Sequence, residues 1–280
     1  MPTSKLGGRT VRMSAALIVV AAMAVLGAAS DRAAPTSAEQ SPSAIAVALP
    51  SADGLSFGFL PDPDFGAGYT TDGSYPQVYG RADLKAVNTA LKQAVLADEA
   101  QTKQDFAGLY QATTAEQTQP GLYATYPREG LLYANRSIVS VLIPKDSTPP
   151  GGNDGEAWIS ATLIVPAGRN VQVTDLFTKP GTALQTLRTL VGDDVIASSP
   201  CVAANLVNIG SSVTGPITSL QPNATTFEDF ALSPYGLTFG FEQGMFADEA
   251  CGAATATVSW ESIQPMLSPL GTAIEEDVTS

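Results

Sequence analysis

Carboxylates are the side chains with the most chemistry to offer in this chain. Four pairs sit at close spacing: Asp62 and Asp64, Asp154 and Glu156, Asp193 and Asp194, and Asp248 and Glu249. Two carboxyls facing each other across a cleft suffice for glycoside hydrolysis, one as proton donor and one as base or nucleophile. All four pairs fall in segments read as loops, where the plain role of such residues is to solvate turns. Asp62-x-Asp64 also has the opening of a calcium loop, but no twelve-residue loop ending in glutamate follows.

Other routes to catalysis close quickly. The 280 residues contain no histidine. That excludes Ser-His-Asp and Cys-His nucleophile systems, HExxH zinc sites and histidine acid/base chemistry. Gly54-Leu55-Ser56-Phe57-Gly58 matches the GxSxG pattern. A nucleophile elbow needs a strand-turn-helix setting and a histidine base, so Ser56 is read as a chance match. A Ser-Lys pair fails as well. The residues three before Lys85, Lys92, Lys103, Lys145 and Lys179 are Ala82, Thr89, Ala100, Leu142 and Leu176. There is no P-loop and no GxGxxG. No cofactor and no metal is expected, and no catalytic residue is assigned.

Cys201 and Cys251 are the two cysteines. In an exported chain an even pair reads as one disulfide, two separate buried thiols being the alternative. Two sulfurs fifty residues apart without histidine make a poor metal site.

The elements that must position these groups begin after an export signal. Lys5, Arg9 and Arg12 precede an apolar run over residues 13–29, and Gly27-Ala28-Ala29-Ser30 offers small residues for cleavage. Residues 1–30 therefore read as a secretory signal peptide. An uncleaved membrane anchor is the alternative, because the run lies at the lower edge of spanning length. No cysteine near Ser30 supports a lipid anchor, and no twin arginine is present. Residues 31–52, rich in Ala, Ser and Pro, read as a flexible stalk. Fourteen basic and 27 acidic residues give a net charge of −13. Loss of the leader leaves 11 basic residues and a net charge of −16. Such a chain avoids nucleic acid and anionic membranes and could attract a cationic partner.

Residues 53–270 read as one α+β region, with halves at 53–145 and 157–270. Leu55-Ser56-Phe57-Gly58-Phe59 predicts a strand. Leu84, Val87, Leu91 and Val95 fall on one stripe of a helix, with Asp83 as its N-cap and Glu99 and Lys103 paired on the wet face. Strands are expected at residues 122–126, 131–143 and 157–165, the last two joined by a long hairpin loop over residues 146–156. A helix is expected over residues 182–191. Residues 192–226 carry little pattern. Phe230-Ala231-Leu232, a turn at Ser233-Pro234-Tyr235-Gly236 and Leu237-Thr238-Phe239-Gly240-Phe241 make a hairpin. A last strand follows at residues 254–260, then a short helix capped by Ser262. Residues 271–280 read as a frayed acidic tail. Strands interrupted by a few helices predict an antiparallel sheet packed by those helices.

The stretch Phe227-Glu228-Asp229-Phe230-Ala231-Leu232, then Tyr235-Gly236-Leu237-Thr238-Phe239-Gly240-Phe241, Ala250-Cys251-Gly252 and Val258-Ser259-Trp260, resembles the C-terminal domain of the RsiV anti-sigma factor family. Val173-Thr174-Asp175-Leu176-Phe177 is similar to an upstream element of that family. Tyr75-Pro76-Gln77-Val78 and the helix after it resemble the domain that usually precedes it. The likeness spans residues 75–270 and includes the secreted immunogenic proteins of mycobacteria. It implies an RsiV-like α+β fold and an actinobacterial, secreted product. RsiV holds a sigma factor inside the cell and binds lysozyme outside. Here some twelve residues precede the apolar run, too few to clamp a sigma factor. Relatives joined to peptidoglycan deacetylases carry a catalytic part absent from this sequence. Many relatives have a histidine in the hairpin loop, where this chain reads PPGGNDG.

The sequence thus leads to a secreted, non-enzymatic binding protein. The expected partner is a cationic protein such as a lysozyme, or a host surface protein. No nucleic acid is expected, a membrane is expected only if the leader is uncleaved, and the oligomeric state is left open. A carboxylate hydrolase of cell-wall polysaccharide and a wall-associated structural module are the alternatives.

Overall fold

The stripe of Leu84, Val87, Leu91 and Val95 is buried along one side of a long helix, and a sheet covers it. A computed structural model of the protein describes residues 54–59, 69–110, 121–208 and 220–280. The leader, the stalk, Asp62 and Asp64 lie outside the described residues. Among the described residues no helix is long and apolar enough to cross a membrane. The architecture is α+β.

Strands β1 (Gly54–Phe59), β2 (Tyr69–Asp72) and β3 (Ser74–Tyr79) come first, and β1 and β3 form an antiparallel pair. Helix α1 (Lys85–Tyr110) follows a 3-10 turn over Ala82–Leu84. Asp83 does not cap it. It lies inside the 3-10 turn, whose N-cap position is Arg81, and its carboxylate is taken up by the Arg81 guanidinium. Glu99 and Lys103 do pair, at 3.4 Å, but Glu99 is buried rather than wet and also accepts from the Thr71 hydroxyl.

The main sheet is built from β4 (Gly121–Thr125), β5 (Leu131–Ala134), β6 (Ile138–Thr148), β7 (Gly155–Ile164) and β8 (Arg169–Asn170), with β2 parallel to β4 at one end. The expected single strand over residues 131–143 is instead the hairpin β5–β6. The chain reverses at Asn135, whose side-chain oxygen accepts the N–H groups of Ser137 and Ile138. Hydrophobicity alone could not see this turn, because apolar residues flank it closely. The long loop expected over residues 146–156 is shorter. β6 runs to Thr148 and β7 starts at Gly155, so polar residues 145–147 pair with 155–157. Backbone pairing tolerates polar side chains where the strand leaves the core.

The β6–β7 ladder separates two cores. Val139, Val141 and Ile143 on β6, with Ile159, Ala161 and Leu163 on β7, face α1. Residues of the other parity face a second sheet, β9 (Phe230–Ser233), β10 (Gly236–Phe241) and β11 (Ala254–Ser259), in the order β11-β10-β9. The Ser140 and Thr162 hydroxyls meet at 2.7 Å, fully buried, and the Leu232 N–H donates to Ser140 Oγ at 2.8 Å. Phe227, Phe230, Phe239 and Phe241 fill the space behind, with Phe227 and Phe239 edge-to-face at 5.4 Å. The predicted β9–β10 hairpin forms as expected. Gly236 turns it with φ of 151°, and a Cβ there would lie 2.0 Å from the Val258 carbonyl oxygen.

Helix α2 (Pro180–Ser198) lies against β11 and extends beyond the expected residues 182–191. Helix α3 (Pro200–Asn208) occupies part of the stretch read as unpatterned, and Cys201 on it is joined to Cys251. The predicted disulfide is formed. Helix α4 (Trp260–Ile263) is capped by Ser259, not Ser262, whose N–H it accepts. The Trp260 indole N–H donates to the Ser233 carbonyl at 2.9 Å. The expected frayed tail is helix α5 (Pro269–Thr279), capped by Ser268. Ile274 and Val278 on it are buried in the second core. Those two apolar residues four apart outweigh the surrounding acidity once a core is there to receive them.

Two substitutions test this frame. A Cys201→Ser, Cys251→Ser double variant is expected to lose about 2–4 kcal/mol in urea unfolding. An unchanged midpoint would mean that packing alone holds α3. Ser140→Ala is expected to cost about 1–3 kcal/mol, because it strands the Leu232 N–H in the core.

Candidate functional site

Lys145 sits on the same side of β6 as Val139, Val141 and Ile143, a cation placed on an apolar face. Its answer lies on α1. Asp98 accepts from Lys145 Nζ at 2.6 and 2.8 Å and from the Tyr123 hydroxyl at 2.9 Å. Asp98 occupies the next place on the stripe of Leu91 and Val95, where the helix passes the end of its core. Thr102, one turn further on, is also buried.

Two adjoining concavities open beside this ion pair, one of about 420 Å³ and one of about 320 Å³. They share Lys145, Ala157 and Glu242. The larger lies between the second half of α1, the β6–β7 turn and the β10–β11 loop. It takes carboxylates from Asp105, Asp154, Glu156 and Glu249. The smaller takes Asp98, Glu228 and Asp229, with Trp158 in its wall. Among the described residues eight carboxylates line the two spaces, counting Glu242, and Lys145 is the one basic residue.

Asp229 is the most perturbed of these groups. Burial pushes its carboxyl up to about 7, and the charges of Glu228 and Asp98 push the same way. A hydrogen bond with Ser160 and the Lys145 charge oppose the rise. Burial also raises Glu228. The acidic field continues around the hairpin. Asp146 is raised by burial and by the charges of Glu156 and Asp154. Tyr126 is pushed up to about 12 by burial and its hydrogen bond to Asp146.

Three of the carboxylates picked from sequence meet here: Asp154, Glu156 and Glu249. Glu156 is partly occupied, since its Oε2 accepts the Ala253 N–H at 2.9 Å. Asp248 is spent on the loop, accepting the Ala250 N–H. Asp193 and Asp194 lie on α2 rather than in a loop, and Asp194 accepts the Thr257 N–H of the edge strand β11 at 2.9 Å. Ser56 lies in β1 opposite Gln77, a strand pair and not an elbow. Cys201 and Cys251 serve the scaffold. The disulfide ties α3 to the loop that carries Glu249.

No family model matches the chain, and no curated protein matches it. Solved structures similar to it include two of the DUF3298 family. One is a member of the DUF3298 family from Bacteroides fragilis, 12% identical, covering 80% of this chain and 99% of that one with a TM-score of 0.47. The other is a DUF3298 family protein from Pseudomonas aeruginosa, 10% identical, covering 79% and 95% with a TM-score of 0.47.

Asp98, Lys145, Glu228, Asp229 and Glu242 were not singled out from sequence. A signal existed for two of them. Asp98 falls on the apolar stripe of its helix, and Lys145 falls on the apolar parity of its strand. Charges at positions a core should fill are candidates for a paired, functional role.

Asp229 makes a pH prediction. Unfolded, it ionises near its ordinary value of 3.8; folded, near 7. The folded chain binds the extra proton between these values, so its contribution to stability is lost as pH rises through that window. Asp229→Asn is therefore expected to be more stable than the parent at about pH 8, by a margin that vanishes near about pH 4. Urea titrations across that range check it, and a constant margin would contradict the assignment.

Proposed function

We propose that this protein is an exported, non-catalytic binding protein that receives a cationic protein in its acidic groove. One observation carries the reading: eight carboxylates around two joined concavities, against a single lysine that is already paired with Asp98. A net charge of −13 adds long-range attraction for a basic partner. The RsiV-like motifs support a partner of the lysozyme kind, and a basic host surface protein fits the same chemistry. Export rests on the leader, which makes the product secreted, or membrane-anchored if the leader is retained.

The test is titration with a lysozyme at two salt concentrations. Binding is expected at about 0.01 M salt, where charges act over ~30 Å, and should weaken strongly at about 1 M, where they act over ~3 Å. Glu228→Lys with Glu242→Lys should weaken it at low salt. Absence of binding to lysozymes and to basic host surface proteins at low salt would remove this reading.

A carboxylate hydrolase is the second reading. It is favoured by two carboxyls with different surroundings in one concavity: Asp98 in an ion pair and Asp229 raised to about 7. Such a division suits an acid and a charged partner at a glycosidic bond. Release of reducing ends from cell-wall glycan, lost in Asp229→Asn, is the expected outcome of that reading. No turnover by the parent protein would dismiss it.

A further inference from the structure

The peptide groups of β7 alternate between its two sides. Its odd residues face β6, with Ala157 opposite Lys145 and Ile159 opposite Ile143. Its even residues face the other way. Glu156 O accepts from Gln243 N–H at 2.9 Å, Thr162 O from Val171 N–H at 2.7 Å, and Ile164 O from Gly168 N–H at 2.9 Å. The register runs from Gly155 to Ile164 without a bulge, so Trp158 and Ser160 also point outward. Strand β8 reaches only Leu163 and Ile164. Among the described residues no hydrogen bond reaches the outward N–H or C=O of Trp158 or Ser160. The buried Trp158 indole N–H likewise has no hydrogen-bond partner among the described residues.

The Trp158 end of this edge opens into the smaller concavity, whose wall includes Ala157 and Trp158, and the Ser160 hydroxyl donates to the carbonyl of Glu228, another residue of that wall. Asp98 of α1 stands on one side of it. Glu228, Asp229 and Glu242 stand on the other. Gly240 is required there, because a Cβ on it would lie 2.4 Å from the Trp158 ring. From Glu156 to Thr162 the edge spans about 20 Å at ~3.4 Å per residue, room for a short extended segment.

The geometry points to strand addition: a basic, extended segment of the partner pairs with β7 at Trp158 and Ser160, its alternate side chains reaching carboxylates on either side. This rests on the acidic-groove reading above and supplies its mode of recognition. Backbone pairing gives affinity in such modes, and alternate side chains give specificity. A second copy of this chain is a poor occupant, since it brings the same carboxylates to the same edge.

The probe is an eight-residue peptide alternating lysine and threonine, compared with a peptide of the same sequence N-methylated at every backbone nitrogen. The second has the same charge but no backbone N–H to donate to a strand edge. At low salt the unmethylated peptide is expected to bind about tenfold more tightly, the worth of one or two net hydrogen bonds. Hydrogen exchange at the Trp158 and Ser160 amides is expected to slow in its complex. Equal binding without that protection would overturn strand addition and leave the acidic groove standing. No binding of either peptide would overturn both. Protection of the same amides by self-association of the chain alone would also overturn it, with a second copy as occupant.

Discussion

The strict two-residue alternation of the β6–β7 ladder is the constraint on which the rest of the structure depends. Ten residue pairs run without a bulge. Every second side chain is therefore committed to the α1 core and the others to the second sheet. A slip of one residue would turn Lys145 toward the second sheet and take Val141 and Ile143 away from α1. The Ser140–Thr162 hydroxyl pair guards against this, since its hydrogen bonds, including the one from Leu232 N–H, exist in one register only.

The groove is a by-product of the same ladder. β6 and β7 extend beyond the apolar residues that need them, and their polar ends leave the core between α1 and the β10–β11 loop. There, among the described residues, the strand edge pairs with no other strand, and both covering layers present acid. Eight of the 27 acidic residues are thus gathered around one concave region. Its cost appears at Asp229, where burial, joined by the charges of Glu228 and Asp98, raises the carboxyl to about 7. The disulfide and the Glu156–Ala253 bond keep the loop carrying Glu249 in place against that repulsion.

The fold was legible in the sequence wherever periodicity was strong. The α1 stripe, the β9–β10 hairpin and the disulfide all stand as read. Reading failed where turns or caps were made by single polar atoms. Asn135 breaks a run that looks continuous, and Ser259 caps where Ser262 seemed the candidate. It failed again at α5, whose acidity resembles a tail although Ile274 and Val278 are buried. The site was half legible. Asp154, Glu156 and Glu249 stand out by local spacing, whereas Asp98, Asp229 and Glu242 come from three separate elements and share no sequence neighbourhood.

The sequence by itself determined the chemical inventory: no histidine, one pair of cysteines, an excess of acid, and strands and helices whose apolar faces demand covering. Those properties are local, since composition and side-chain period are fixed along the chain. Only the tertiary structure decided which acids meet. Placing Asp98 beside Lys145 and within the field of Asp229 takes a helix laid on one face of a sheet and a second sheet on the other. The perturbation of Asp229, and the edge at Trp158 and Ser160 that no described strand pairs, arise from that stacking, because burial, like-charge proximity and strand pairing exist only between elements.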